Sequence, residues 1–403
     1  MKENKIVKLS DVCDLIPGFA FKSSEFGEHK VKAVKIGDIQ PPYVNFESMT
    51  GVDISKYSVS RLAKYEIFKG DFVLAMTGAT IGKIGRYITD TGAYINQRVL
   101  KFKPHDEVNS DFIYYVVSST SFQKYILNNV DSETAQPNIS AGSVGKYEFE
   151  LPSLEEQNRI ANILASIDNK IQLNRQINDN LEQQAQALYK SWFVDFDPFK
   201  DGAFKESEFG LIPGGWRVGS LSDLTEITMG QSPSGKSYNE TGDGMLFYQG
   251  RAEFGDRYPS IRLYTTEPSR IAEQNSVLLS VRAPVGDTNI AYNKCCIGRG
   301  LASITAKHGF NSFIFYMIKS LKDQFDLYNG EGTVFGSINR DSLNSMKVIV
   351  PTNEVINDFE KIVAPLDFKY KSLFSENLLL MQQRDTLLPK LMSGELKIND
   401  LDC

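Results

Sequence analysis

The apolar positions of this chain fall into two repeating textures. Short apolar runs bounded by turn residues, such as Asp71–Met76 and Ser276–Val281, read as strands. Two later stretches carry apolar residues at alternating spacings of four and three. In the second, the positions are Phe359, Val363, Leu366, Tyr370, Leu373, Asn377, Leu380, Arg384, Leu387 and Leu391. Shifting back by 199 positions, the separation of Ile338 and Ile139, gives Ile160, Leu164, Ile167, Ile171, Asn174, Asn178, Leu181, Ala185, Leu188 and Trp192. This spacing is a coiled-coil seam, and the two seams predict an antiparallel helix pair. Residues expected at the pairing surface are Ile167, Ile171, Asn178, Leu181, Leu188, Leu366, Tyr370, Asn377, Leu380 and Leu387. Asn178 and Asn377 occupy the same seam position, where a polar residue costs stability but fixes register. Pro365 is expected to break or kink the second helix, because it removes a backbone donor and clashes with the preceding turn, and Pro389 to end it.

The repetition extends beyond the helices. Lys8-Leu9-Ser10-Asp11-Val12 matches Gly219-Ser220-Leu221-Ser222-Asp223-Leu224. A polar loop led by Gly18 matches one led by Gly230. Phe72–Gly82 matches Ser276–Gly286, Ile95–Arg98 matches Ile297–Gly300, and Asn138–Ser140 matches Ser337–Asn339. Each half is thus roughly 150 residues of short strands followed by a long helix. The Pro- and Gly-rich stretch between Asp195 and Trp216 reads as a connector. The expected fold is α+β: two globular mixed α/β domains, residues 1–150 and 219–350, separated by two long antiparallel coiled-coil helices in a pseudo-twofold tandem repeat. The helices are assigned to residues 151–197 and 351–395, with the connector at 198–218.

Composition narrows the chemistry. The chain has 403 residues, 41% hydrophobic and 23% charged, as in ordinary globular protein. No apolar run approaches the roughly 20 residues of a membrane span, and the N-terminus has no signal-peptide core. The cysteines Cys13, Cys295, Cys296 and Cys403 form no CxxC pair, and His29, His105 and His308 lie far apart. No metal site or disulfide framework is expected, and a reducing cytoplasm fits. A net charge of −6 argues against binding nucleic acid by charge alone. Weak basic stripes nevertheless run through Lys83, Arg86, Arg98, Lys101 and Lys103, and through Arg251, Arg257, Arg262, Arg270, Arg282, Lys294 and Arg299.

Two motifs invite an enzymatic reading. Gly230–Ser237 fits the P-loop pattern GxxxxGK[ST], but the residues after it, Tyr238 to Gly244, start a helix poorly. Gln40-Pro41-Pro42-Tyr43 resembles the adenine-methyltransferase tetrapeptide, but Gln has the wrong length for the adenine amino group, and a proline turn is the plainer reading. No GxSxG elbow occurs, and Glu395-Leu396-Lys397 lacks a Pro-Asp partner for a nuclease site. A complete methyltransferase or NTPase, and a repeat protein bridging two protein partners, remain as competing readings.

Four stretches, in order, resemble the specificity subunits of type I restriction–modification systems. They are Leu151-Pro-Ser-Leu-Glu-Glu-Gln157, Trp192-Phe193-Val194-Asp195-Phe196-Asp197-Pro198, Ser207–Trp216, and Leu387-Leu-Pro389-Lys-Leu-Met-Ser393-Gly394-Glu395-Leu396. The second lead-in, Val350-Pro351-Thr352-Asn353-Glu354, lacks the Glu-Gln pair of the first. The resemblance implies a non-catalytic cytoplasmic subunit that reads a two-part site on double-stranded DNA, one part per domain. It implies partnership with two methyltransferase subunits and with restriction–translocation subunits. S-adenosylmethionine, ATP and magnesium would be bound by those partners. The helix from Pro365 to Leu388, roughly 24 residues, would span about 36 Å, close to the roughly 34–36 Å of one DNA turn.

Base readout favours Arg or Lys on guanine and Asn or Gln on adenine, with Lys, Ser and Thr on phosphates. On that chemistry the expected DNA contacts are Thr77, Thr80, Lys83, Arg86, Gln97 and Arg98 in the first domain. In the second they are Ser234, Lys236, Arg251, Arg282 and Arg299. The glycines beside them (Gly78, Gly82, Gly286, Gly298) would permit close backbone approach.

Overall fold

Apolar runs flanked by turns become short strands of two small sheet systems, each finished by a long helix. The structure is a computed structural model, and it describes residues 5–130, 137–329, 336–392 and 395–396. It divides into two compact units, Met1–Leu173 with Glu376–Cys403, and Asn174–Ser375. The boundary falls inside both long helices.

In the first unit, Lys5–Lys8 pairs antiparallel with Glu148–Leu151, which closes the globular part beside the start of its long helix. Cys13–Pro17, Val99–Pro104, Phe72–Ala75 and Ile84–Arg86 follow in antiparallel order in one sheet. A second sheet joins Phe26–Val34 in parallel to Ala93–Ile95. Helices α1 (Ser110–Ser118) and α2 (Thr120–Asn128) cover the first sheet, burying Phe112, Ile113, Val116 and Phe122 against Phe72, Leu100 and Phe102. Asn109 and Ser119 cap them, accepting from Phe112 N at 2.8 Å and Phe122 N at 3.2 Å.

The second unit repeats this order. Arg217–Ser220 pairs with Lys347–Val350. Thr225–Met229, Leu301–Ala306, Val277–Ser280 and Thr288–Ile290 make the antiparallel sheet, and Met245–Tyr248 runs parallel to Cys295–Ile297. The first unit adds two strands, Ile39–Gln40 and Tyr43–Val44, with no counterpart among the described residues of the second. The Pro41–Pro42 pair is the two-residue turn between them, so the methyltransferase-like tetrapeptide is a hairpin.

The long helices are α3 (Leu154–Phe193) and, after α4 (Asn311–Ser320) and α5 (Lys322–Asp326), α6 (Asn353–Met392). All twenty seam positions are buried or half-buried. Pro365 does not break the helix, and Pro389 lies three residues before its end. Both prolines are exposed, so water can reach the carbonyl each leaves without an amide donor. Around Pro365, Phe359, Val363 and Tyr370 are buried in the core, and their packing outweighs the lost hydrogen bond.

In each unit a tyrosine of the globular part is tied to an aspartate of the long helix that follows it. Tyr115 Oη donates to Asp168 at 2.8 Å, and Tyr316 Oη to Asp367 at 2.9 Å. The arginine beside each aspartate comes from a different place. In the first unit it is Arg384 of α6, 2.9 Å from Asp168. The repeat-equivalent position, 185, is Ala, and in the second unit Arg257 takes the role from the globular part. Its side chain is 2% exposed and pairs with Glu182 at 3.0 Å and Asp367 at 2.5 Å. It also lies 4.7 Å from the Phe315 ring and 4.6 Å from Tyr370. Burial pushes the Glu182 carboxyl up, but Arg257 and Lys319 more than offset this and hold it below its ordinary value.

Candidate nucleic-acid interface

In each unit, the ends of the central strands throw out loops that neighbouring loops then lock. In the first unit, Met76 N donates to Arg98 O at 2.9 Å, and Gly78 N to Pro137 O at 3.0 Å. Phe19 N donates to Ile95 O, and Gln97 N returns to Phe19 O at 2.8 Å. Loops 18–22, 77–83, 96–98 and 137–139 are therefore adjacent. In the second unit, Val281 N donates to Gly300 O and Ala283 N to Gly336 O. Gln231 N donates to Ile297 O, and Arg299 N to Ser232 Oγ at 3.3 Å. Loops 230–237, 281–287, 298–300 and 336–339 occupy the same relative places.

One close approach makes both arrangements depend on glycine. A Cβ on Gly18 would lie 2.0 Å from Asn96 O, and one on Gly230 would lie 2.1 Å from Gly298 O. Gly82 and Gly286 instead turn their loops at φ +84° and +99°. Of the glycines noted in the sequence, Gly82 and Gly286 thus serve the loops' own folding.

The expected contact residues separate into two groups. Lys83, Gln97 and Arg98 are exposed on the first unit's loops, and Ser234, Lys236, Arg282 and Arg299 on the second's. Thr80 is half-buried, its hydroxyl donating to Thr77 O at 3.4 Å. Thr77 is 1% exposed, and its hydroxyl accepts from Arg98 Nη1 at 3.2 Å. It braces Arg98 rather than facing solvent. Arg86 is turned inward over the Tyr114 ring at 4.0 Å and pairs with Asp111 at 2.9 Å, so it secures α1. Arg251 is exposed but paired with Asp287, beside a cleft of about 400 Å³ that Lys319 and Lys322 also line.

The basic stripes dissolve in the same way. Lys101 is buried, with Nζ donating to Glu66 O at 2.5 Å, and its amine is pushed down by burial. Arg257 is buried, Arg262 pairs with Glu253, and Lys294 pairs with Glu273 at 2.7 Å. Beside the first unit's loops, Arg61 is exposed over an aromatic cluster. No hydrophobic periodicity or motif marks it in the sequence.

No chemical apparatus is built at the enzymatic look-alikes. The Gly230–Ser237 loop ends in a single 3₁₀ turn followed by the strand Tyr238–Asn239, where a P-loop would begin a helix. The Ser237 hydroxyl is buried against Thr265 at 2.7 Å. Burial pushes the Cys13 and Cys295 thiols up to about 12, which keeps both protonated. Among the described residues no group of three or more His, Cys, Asp or Glu side chains is placed to hold a metal ion. No helix among them is long and apolar enough to cross a membrane.

The comparisons with known proteins agree with one another. The family model for the type I restriction modification DNA specificity domain matches residues 1–183 and again 213–367. A Methanocaldococcus jannaschii chain assigned as the MjaX type I restriction enzyme specificity subunit is 33% identical over 347 residues, covering 84% of this chain and 81% of that one. The MjaIX specificity subunit of the same organism is 25% identical over 429 residues, covering 94% and 97%. The crystal structure of a type I restriction–modification S subunit from M. genitalium shares the fold, with a TM-score of 0.58 at 16% identity over 97% of each chain. This chain therefore belongs to the type I restriction modification DNA specificity domain family and carries that domain twice.

Proposed function

We propose that this chain reads the recognition sequence for a type I restriction–modification complex and carries out no chemistry itself. Each globular domain reads one part of a two-part site on double-stranded DNA. The observation that carries this is the contrast between scaffold and loop. Both domains hold corresponding loops with matching backbone hydrogen bonds at the strand ends, yet Gln97-Arg98 stands where the second domain has Arg299-Gly300. A retained frame with changed exposed side chains suits two readers of different sequences.

The residues proposed to meet DNA are Thr80, Lys83, Gln97 and Arg98 in the first domain, and Ser234, Lys236, Arg251, Arg282 and Arg299 in the second. Thr77 and Arg86 act by holding neighbours in place. The long helices form an antiparallel coiled-coil spacer. In its support, as the α3 partner advances from Asp168 to Ile171, the α6 partner retreats from Arg384 to Asn377. The expected partners are two methyltransferase subunits and restriction–translocation subunits, which bring S-adenosylmethionine, ATP and magnesium. The expected compartment is the cytoplasm.

The test is the methylome of cells that co-express this chain with its neighbouring methyltransferase subunit. A split motif with two short parts, a fixed gap and N6-methyladenine in each is the expected result. Absence of new methylation, with the two subunits shown to be bound, would refute the reading. Saturable binding of S-adenosylmethionine or ATP by the isolated chain would favour an enzyme instead.

A further inference from the structure

Beside the Gln97–Arg98 loop the first unit carries an arginine whose setting differs from that of its structural arginines. Phe19, tied to that loop by two backbone hydrogen bonds, stacks edge-on with Tyr57 at 4.9 Å and Tyr65 at 5.2 Å. Arg61 lies over this platform, 5.6 Å from the Phe19 ring and 5.5 Å from Tyr57. Its backbone is fixed as well: Ser58 Oγ caps the short helix Val59–Leu62 by accepting from Arg61 N at 3.3 Å. The Tyr57 hydroxyl donates to Glu25 at 2.9 Å, which anchors the ring itself. Arg61 remains exposed, and among the described residues no carboxylate lies within ion-pair distance of it. By contrast Arg86, Arg251, Arg257, Arg262 and Arg384 all have one.

The second unit places an arginine on the corresponding segment by different means. Glu66–Ile67 and Ile271–Ala272 each pair antiparallel with the strand that leads into the contact loop. Arg270 immediately precedes the second of these strands, and its carbonyl accepts from Ile297 N at 2.9 Å. The neighbouring Ser269 hydroxyl donates to Gln231 O at 2.6 Å, tying the segment to the 230–237 loop. Arg270 is exposed and, among the described residues, also has no ion-pair partner. The Arg61 guanidinium is placed in advance over its rings, the Arg270 backbone is fixed beside the loop, and both charges are left uncompensated, which suits an anion that arrives with the ligand.

We propose that Arg61 and Arg270 each hold a DNA backbone phosphate next to the reading loops and so set the register of their domain on the duplex. The proposal rests on the reading of the domains as DNA readers. Phosphate contacts fix position without carrying sequence information. Arg61 therefore governs affinity and salt dependence, and the loop residues govern discrimination.

The experiment uses the full chain assembled with its methyltransferase subunit and a fluorescent duplex containing the site found by methylome sequencing, titrated across salt concentrations. Arg61→Ala is expected to weaken binding about three- to tenfold and to lower the slope of log affinity against log salt by about 1, with mismatch discrimination unchanged. Arg61→Lys should keep the slope, and Arg270→Ala should reproduce the loss independently. Unchanged affinity and slope in an Arg61→Ala complex that melts like the wild type would overturn the proposal. So would lost discrimination at one base pair with the slope intact, which would make Arg61 a base contact. Should Arg61→Ala fail to fold, Arg61→Gln reads the same slope. Absence of salt-dependent binding by the wild-type complex would instead overturn the reading of the domains.

Discussion

Replacing Arg257 with Met should destabilise the second unit more than removal of any single exposed charge. The wild-type side chain is 2% exposed, and the carboxylates it joins, Glu182 and Asp367, are 17% and 19% exposed. Loss of the guanidinium leaves two carboxylates in a poorly solvated space, with Lys319 reaching only Glu182, at 2.6 Å. Breaking a buried ion pair in this way costs about 3–5 kcal/mol. A unit of this size loses roughly 2–4 °C of Tm per kcal/mol, so differential scanning calorimetry should show its transition fall by about 6–20 °C. The triple variant Arg257→Met, Glu182→Gln, Asp367→Asn removes the stranded charges and should recover most of that loss. The pH dependence has a definite sign. Arg257 and Lys319 hold Glu182 below its ordinary value, so the stability Glu182 contributes is present above its unfolded-state pKa. It is lost as pH falls through the folded value. The gap between wild type and Arg257→Met should therefore narrow in acid. A single variant that melts within about 2 °C of wild type, or a triple variant no better than the single, would refute the reasoning.

Other outcomes follow from the same geometry. Gly18→Ala or Gly230→Ala drives a methyl group into a backbone carbonyl and should cost about 3 kcal/mol or more, read as lost soluble yield and a lower Tm; wild-type melting would show the loops can part. Asn377→Leu removes a buried seam polar group whose amide donates to Ile171 O at 3.4 Å. It should stabilise the fold by about 1–2 kcal/mol, raising Tm by roughly 2–8 °C, while mixing registers, seen as several species in size-exclusion chromatography; one species with lower Tm would contradict this. Arg98→Glu and Arg299→Glu, one in each domain, should each lower methylation of the whole two-part site by more than about tenfold. Methylation that survives both would remove these residues from the interface.

The repeat and the two helices were legible because their signals are periodic. Seam residues at alternating spacings mark buried positions whatever the rest of the fold does, and all of them are buried or half-buried. The matched pairs Ile95/Ile297 and Ile139/Ile338 hold equivalent backbone bonds in both units. Pro365 misled because the penalty of a helical proline depends on where it faces, and here it faces water. The exposure of the candidate contact residues was only partly legible. Residue type says what a side chain can bond, but not whether a fold partner has already taken it. Arg86 and Arg257 look like their exposed neighbours in the sequence; Asp111, and Glu182 with Asp367, distant in the chain, decide their fate. Arg61 lies in a stretch with no periodic or motif signal, and only the folding of Phe19 beneath it gives it a place.

The strand pairs Lys5–Lys8 with Glu148–Leu151, and Arg217–Ser220 with Lys347–Val350, bring the entrance and exit of each globular part side by side. A segment with this property behaves as a cassette. It can be lifted out and replaced by another with the same two closing strands, and the chain on either side need not be rerouted. New specificities are then open to recombination in a single crossover pair, with no need for many point substitutions to accumulate inside a working reader.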